Sequence, residues 1–121
     1  MDELSAIADD DFCYLTTRGR RTGGMHEIEI WFALQGTTLY MLSGGRDRSD
    51  WVRNVTAEPA VTVRMRERTY AATARVLGDD PESELARRLV SEKYQPRYKG
   101  SLENWRRDAL PVAIDLLEER Q

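Results

Sequence analysis

A two-residue period governs the first two thirds of the chain. Between His26 and Leu34, the side chains of Ile28, Ile30, Phe32 and Leu34 fall on one face, and those of Glu27, Glu29, Trp31 and Ala33 on the other. Ala60 to Met65 repeats the pattern, with Val61, Val63 and Met65 opposed to Thr62 and Arg64. That period belongs to strands and excludes amphipathic helices from these runs. Phe12–Thr17, Thr38–Leu42 and Thr69–Leu77 are further strands. Gln35-Gly36-Thr37 and Arg66-Glu67-Arg68 supply the turns of two hairpins.

A short helix is expected over Ser49–Ala57. After Leu77 the period changes. Asp80 can cap a helix and Pro81 suits its first turn. Leu85, Ala86, Leu89 and Val90 then form a helical stripe, so a helix is expected over Pro81–Tyr94. One or two helical turns follow within Leu102–Ala109. Pro111–Leu117 reads as a sixth strand, with a helix as the rival reading. The expected architecture is mainly β (α+β). It is a six-stranded antiparallel split β-barrel with one packed helix and short helical connections, forming a single domain over residues 1–121.

Charge is distributed unevenly. The net charge is −3, yet residues 14–76 carry ten arginines against six acids. A basic middle within an acidic protein suits a compact anionic ligand better than a nucleic-acid backbone. Only Lys93 and Lys99 are lysines. Arginine's planar fork favours phosphate and carboxylate recognition, although a GC-rich genome would also enrich arginine. The single cysteine, Cys13, lies in an apolar run and reads as a core residue. No apolar run reaches the roughly 18 residues of a bilayer span, and the acidic start lacks the order of a secretory signal. A cytoplasmic location is therefore expected.

Two glycine loops carry the candidate chemistry. In Thr16-Thr17-Arg18-Gly19-Arg20-Arg21-Thr22-Gly23-Gly24, glycines expose backbone N–H groups while Arg20, Arg21 and Thr22 add donors to an anion. A solvated basic turn is the alternative reading. Ser43-Gly44-Gly45-Arg46-Asp47-Arg48-Ser49 leads from a strand into a helix, and a helix start is a ready phosphate site. The alternative there is an ordinary loop with Ser49 as N-cap. His26 has no second histidine for a metal, and no nucleophile–histidine–acid set can be assembled. Two anion loops without acid–base machinery suit a protein whose chemistry belongs to a bound cofactor.

The motif Leu15-Thr16-Thr17-x-Gly19-Arg20-Arg21-Thr22-Gly23, followed by a strand ending Trp31-Phe32, resembles the deazaflavin-dependent nitroreductases of actinobacteria. So do Trp51-x-x-Asn54-x-x-x-x-Pro59-x-Val61-x-Val63, Thr73-Ala74-Arg75 and Trp105-Arg106-Arg107-Asp108-Ala109-Leu110-Pro111-Val112. The resemblance implies a split β-barrel that binds coenzyme F420, with FMN as the alternative cofactor. It also implies hydride transfer to a small electron-poor acceptor such as a quinone, enone or nitro compound. The runner-up functions are an FMN-dependent split-barrel reductase or oxidase and a non-catalytic cofactor carrier. By motif, Arg20, Arg21, Thr22 and Gly23 would hold the phosphate or acidic tail. Ser43, Gly44, Gly45, Arg48 and Ser49 would form the loop beside the deazaflavin, buttressed by Trp51 and Asn54. Trp31, Tyr94 and Tyr98 would line the substrate side. The chain departs from the family pattern in a shorter glycine loop, with arginine where lysine is usual. No metal, nucleic acid or integral membrane partner is expected, and the protein would be a monomer or homodimer.

Overall fold

Seven strands, all paired antiparallel, form one sheet in the order β2-β1-β5-β6-β7-β4-β3. They are β1 (Cys13–Arg18), β2 (Met25–Ile30), β3 (Ala33–Gln35), β4 (Thr38–Ser43), β5 (Ala60–Met65), β6 (Arg68–Val76) and β7 (Leu110–Arg120). The helices are α1 (Glu3–Ile7), α2 (Asp50–Ala57), α3 (Pro81–Tyr94) and α4 (Glu103–Asp108). This computed structural model describes residues 3–120. Met1, Asp2 and Gln121, which the expected 1–121 domain includes, lie outside the described residues. Among the described residues no helix is long and apolar enough to cross a membrane.

The expectation of six strands is corrected to seven. The run His26–Leu34 is not one strand: it breaks at Trp31-Phe32 into β2 and β3, which occupy opposite edges of the sheet. That break dictates the shape. Laid flat, seven strands would span about 29 Å. Ile30 and Ala33 are three residues apart, a reach of about 11 Å at most. The sheet must therefore curl until its edges nearly meet, giving a barrel closed by the chain itself rather than by a ladder. The rival reading of the C-terminal segment as a helix is also settled, because β7 pairs with both β4 and β6.

The alternation predicts which face is inside. Leu15, Val61, Val63, Met65, Leu39, Met41, Val112 and Ile114 fill the barrel, together with Phe32 and Cys13. Burial pushes the Cys13 thiol up to about 12, so it stays protonated and inert. β4 is buried on both faces: Tyr40 and Leu42 join an outer layer with Ala86, Val90 and Tyr94 of α3. Asp80 accepts a hydrogen bond from the Ser83 N–H at 2.9 Å and caps α3, with Pro81 in its first turn.

Arg75 on β6 ties this layer together. Its guanidinium donates to both oxygens of Glu82 on α3 (2.9 and 2.8 Å) and both oxygens of Asp115 on β7 (2.6 and 3.2 Å). It holds both carboxyls below the usual carboxylate range. A depressed folded value means the stabilisation is present above about pH 4 and is lost as pH falls through the lowered values. Arg75→Gln should therefore lower Tm at pH 7 by a few degrees. Thermal melts from pH 7 down to pH 2.5 should show the gap to the parent closing in acid, and a gap that persists would refute the assignment.

Candidate functional site

The loop after β1 is built on glycine. A Cβ at Gly19 would lie 2.6 Å from His26 Nε2 and 3.1 Å from the Gly24 carbonyl oxygen, so any larger residue would have to displace the His26 ring and crowd the turn. The Gly19 N–H donates to the Gly24 carbonyl at 2.6 Å, and the Gly23 N–H donates to the Gly19 carbonyl at 2.9 Å. Gly23 has φ +80°, a conformation that favours glycine. Arg18 donates to the Gly23 carbonyl and closes the loop from outside.

This loop is bolted to α2 by Asn54, which is 4% exposed. Its Oδ1 accepts from the backbone N–H of Arg20 (3.3 Å) and from Arg20 Nη1 (2.9 Å), while its Nδ2 donates to Thr17 Oγ1 (3.1 Å). Arg20 also donates to Asp50 at 3.3 Å. The two arginines expected to grip an anion therefore differ. Arg20 is spent on the protein. The Arg21 side chain is exposed and has no protein partner among the described residues, and neither do the backbone N–H groups of Arg21 and Thr22.

Loop, β2 and α2 enclose a cleft of about 760 Å³. Arg20, Arg21 and Thr22 line it from the loop, and Trp51, Arg53 and Asn54 from the helix. The inward face of β2 adds His26 and Ile28, and Met25, 56% exposed, stands at the rim. The cleft thus has a cationic, N–H-rich end and an apolar wall containing one half-buried indole. Sequence reasoning did not assign Met25, Ile28, Asp50 or Arg53 to the site. The signal for two of them was present, because Asp50, Arg53 and Asn54 stand at i, i+3 and i+4 on one face of α2.

The remaining expected site residues lie elsewhere. Ser43, Gly44, Gly45, Arg48 and Ser49 do not line the cleft. Ser43 Oγ and Ser49 Oγ are 2.8 Å apart, so Ser49 is diverted from capping α2 and makes no side-chain cap bond. A Cβ at Gly44 would meet Trp105 Nε1 at 3.3 Å, and Arg46 donates to the Asp108 carbonyl, so this loop leans on α4. Trp105 stands edge-on to Trp31 (5.6 Å between centroids), Trp31 stacks on Tyr94 (4.2 Å, 3°), and Tyr98 meets Trp31 edge-on (6.1 Å). Tyr94 is 2% exposed, and its hydroxyl is committed to backbone. It accepts from the Phe32 N–H (3.0 Å) and has the carbonyls of Asp11 (2.7 Å) and Phe32 (3.1 Å) as acceptors for its one proton. Burial pushes the phenol up to about 12. Tyr98, 49% exposed, offers an open aromatic face.

A curled antiparallel barrel with a cationic cleft beside an indole belongs to the split-barrel class of flavin-type cofactor proteins. The profile of the F420H(2)-dependent quinone reductase family matches residues 4–116, and the chain belongs to that family. It is accordingly an F420-dependent oxidoreductase, and coenzyme F420 is its cofactor. Solved structures share the fold. An F420-H2 dependent reductase is 24% identical with a TM-score of 0.69, over 88% of this chain and 94% of that one. A FAD-binding protein of Mesorhizobium loti is 14% identical with a TM-score of 0.74, over 97% and 87%. A conserved hypothetical protein of Mycobacterium tuberculosis is 17% identical with a TM-score of 0.73, over 99% and 82%.

Proposed function

We propose that the cleft between the Gly19–Gly24 loop and α2 holds the deazaflavin cofactor, and that the protein reduces a small electron-poor acceptor such as a quinone, enone or nitro compound. The observation that carries this reading is the pairing of a partner-free Arg21 and two open N–H groups with an apolar wall in one cleft. The donor set fits the group: F420 joins a planar ring to a phosphate and an acidic tail. When bound, the reduced cofactor supplies the hydride. Arg21, Thr22 and their N–H groups bind the anionic part by charge-assisted hydrogen bonds. Trp51, Ile28 and Met25 present apolar surface to the ring and keep water from it. Arg20 and Asn54 set the position of the loop without needing to touch the ligand. On this reading Trp31 and Tyr98, across the second glycine loop, meet the acceptor, while Tyr94 supports Trp31 from beneath.

Arg21→Ala should weaken cofactor binding about tenfold, the low end of a charge-assisted bond's roughly 1.5–3 kcal/mol for an exposed contact. Tm should not change, since Arg21 holds nothing in the protein. A ring fragment without phosphate or glutamates should bind parent and variant alike, and added salt should weaken only the intact cofactor. Fluorescence quenching titrations measure all four affinities. Equal weakening of cofactor and fragment would move Arg21 to the ring, and no weakening of either would return the loop to a solvated turn. Acceptor class is read from steady-state oxidation of the reduced cofactor across quinones, enones and nitroaromatics.

A further inference from the structure

A second cleft, of about 450 Å³, lies on another side of the barrel and shares no lining residue with the first. Ala8, Leu34, Leu89 and Pro96 give it apolar surface, and the charged residues Asp9, Glu92, Lys93 and Arg97 line the rest. Lys93, in the last turn of α3, is half-buried. Its Nζ donates to the Phe32 carbonyl at 2.9 Å and lies 3.7 Å from the centre of the Phe32 ring and 5.0 Å from that of Tyr94. The amine is thus held in one orientation at the chain crossing that closes the barrel, beside a cleft of mixed apolar and charged lining. Nothing in the reduction chemistry uses it.

We propose that Lys93 is an acylation site, and that this cleft admits the short apolar acyl group of a thioester donor. The Nζ lone pair attacks the thioester carbonyl carbon, the C–S bond breaks, and the departing sulfur takes up the proton lost by the nitrogen. The products are an amide at Lys93 and a free thiol. The apolar surface receives the acyl chain, and the cleft opening leaves room for the thiol to depart.

The reaction needs a neutral amine, and the surroundings favour one. Burial strips water from the ammonium, and the Arg97 guanidinium repels it. Asp9 and Asp10, from the segment between α1 and β1, act in the opposite direction, but the balance brings Lys93 down to about 8. Near pH 8 about half of such amines are neutral, against under about 1% for an ordinary lysine. Acylation would also remove the cation from the Phe32 ring and so mark the barrel's closure.

The chain contains only two lysines, so Lys99 is the internal control. The full-length protein is incubated with the acetyl thioester of N-acetylcysteamine at pH 8, and acetylation of both lysines is followed by peptide mass spectrometry. Lys93 should react about tenfold or more faster than Lys99 in the folded protein, with a rate that rises to a plateau around a midpoint near pH 8. In concentrated urea the two rates should converge. Leu34→Trp, which fills the cleft, should slow Lys93 and leave Lys99 unchanged. The proposal is overturned if Lys99 keeps pace with Lys93 in the folded protein, or if the preference survives in urea. The parent protein decides even if the tryptophan variant does not fold.

Discussion

Asn54→Ala is expected to lower the free energy of unfolding by about 3 kcal/mol and cofactor affinity by about 30-fold or more. The substitution deletes three hydrogen bonds from a side chain that is 4% exposed, one of them to a guanidinium. A typical net hydrogen bond contributes about 1 kcal/mol and a charged one about 1.5–3, and stranding the Arg20 N–H and the Thr17 hydroxyl adds desolvation. The loop would then float relative to α2, and each 1.4 kcal/mol needed to re-order it removes about tenfold in affinity. Denaturant melts and fluorescence titrations measure the two effects. Asn54→Asp keeps an oxygen to accept both Arg20 bonds and should restore much of each. A variant that loses affinity with full stability would show that Asn54 touches the ligand directly and does not act through the loop.

Tyr94→Phe should lower stability by about 2–3 kcal/mol and Tm by roughly 10 °C. The ring survives, so the stack on Trp31 at 4.2 Å is kept and no large cavity forms. What disappears is the hydroxyl joining Phe32 to the Asp11 carbonyl, and the buried Phe32 N–H loses its partner. Amide hydrogen exchange should accelerate first at residues 31–33, because that crossing joins the two edge strands without a ladder between them. If Tyr94 instead serves the acceptor through its hydroxyl, the variant will keep its Tm and exchange pattern, and KM for the acceptor will rise.

Legibility from sequence followed how local the determining physics is. Ala60–Met65 and Pro81–Tyr94 were read with their observed bounds, because alternation and the Asp80-Pro81 start are written in neighbouring residues. The break at Trp31-Phe32 was not read. Ile28, Ile30, Phe32 and Leu34 keep facing the interior on both sides of it, so the hydrophobic pattern passes through unbroken while the pairing partner changes from β1 to β4. Nothing local to residue 32 announces a hydroxyl arriving from residue 94. At the candidate site, the basic glycine loop was legible as a motif, but Asn54 was expected to buttress the second glycine loop and its hydrogen bonds go to Arg20 and Thr17 at the first. The division of labour between Arg20 and Arg21 was not legible, because two adjacent arginines look alike until a helix thirty residues away chooses one. Ser49 illustrates the same limit: as a local cap it was a sound expectation, and the hydroxyl of Ser43 took it.

Among the described residues, the strand latest in sequence lies inside the sheet. β7 is flanked by β6 on one side and β4 on the other, with Thr73 and Thr38 both aligned on Asp115. Before Leu110–Arg120 emerges from the ribosome, β2-β1-β5-β6 and β4-β3 are two separate ribbons with no ladder between them. β4, buried on both faces in the finished fold, lacks its β7 neighbour until residues 110–120 are made. Assembly of this barrel is therefore governed by long-range pairing that waits for β7, and the chain is most vulnerable to aggregation through β4 until β7 arrives.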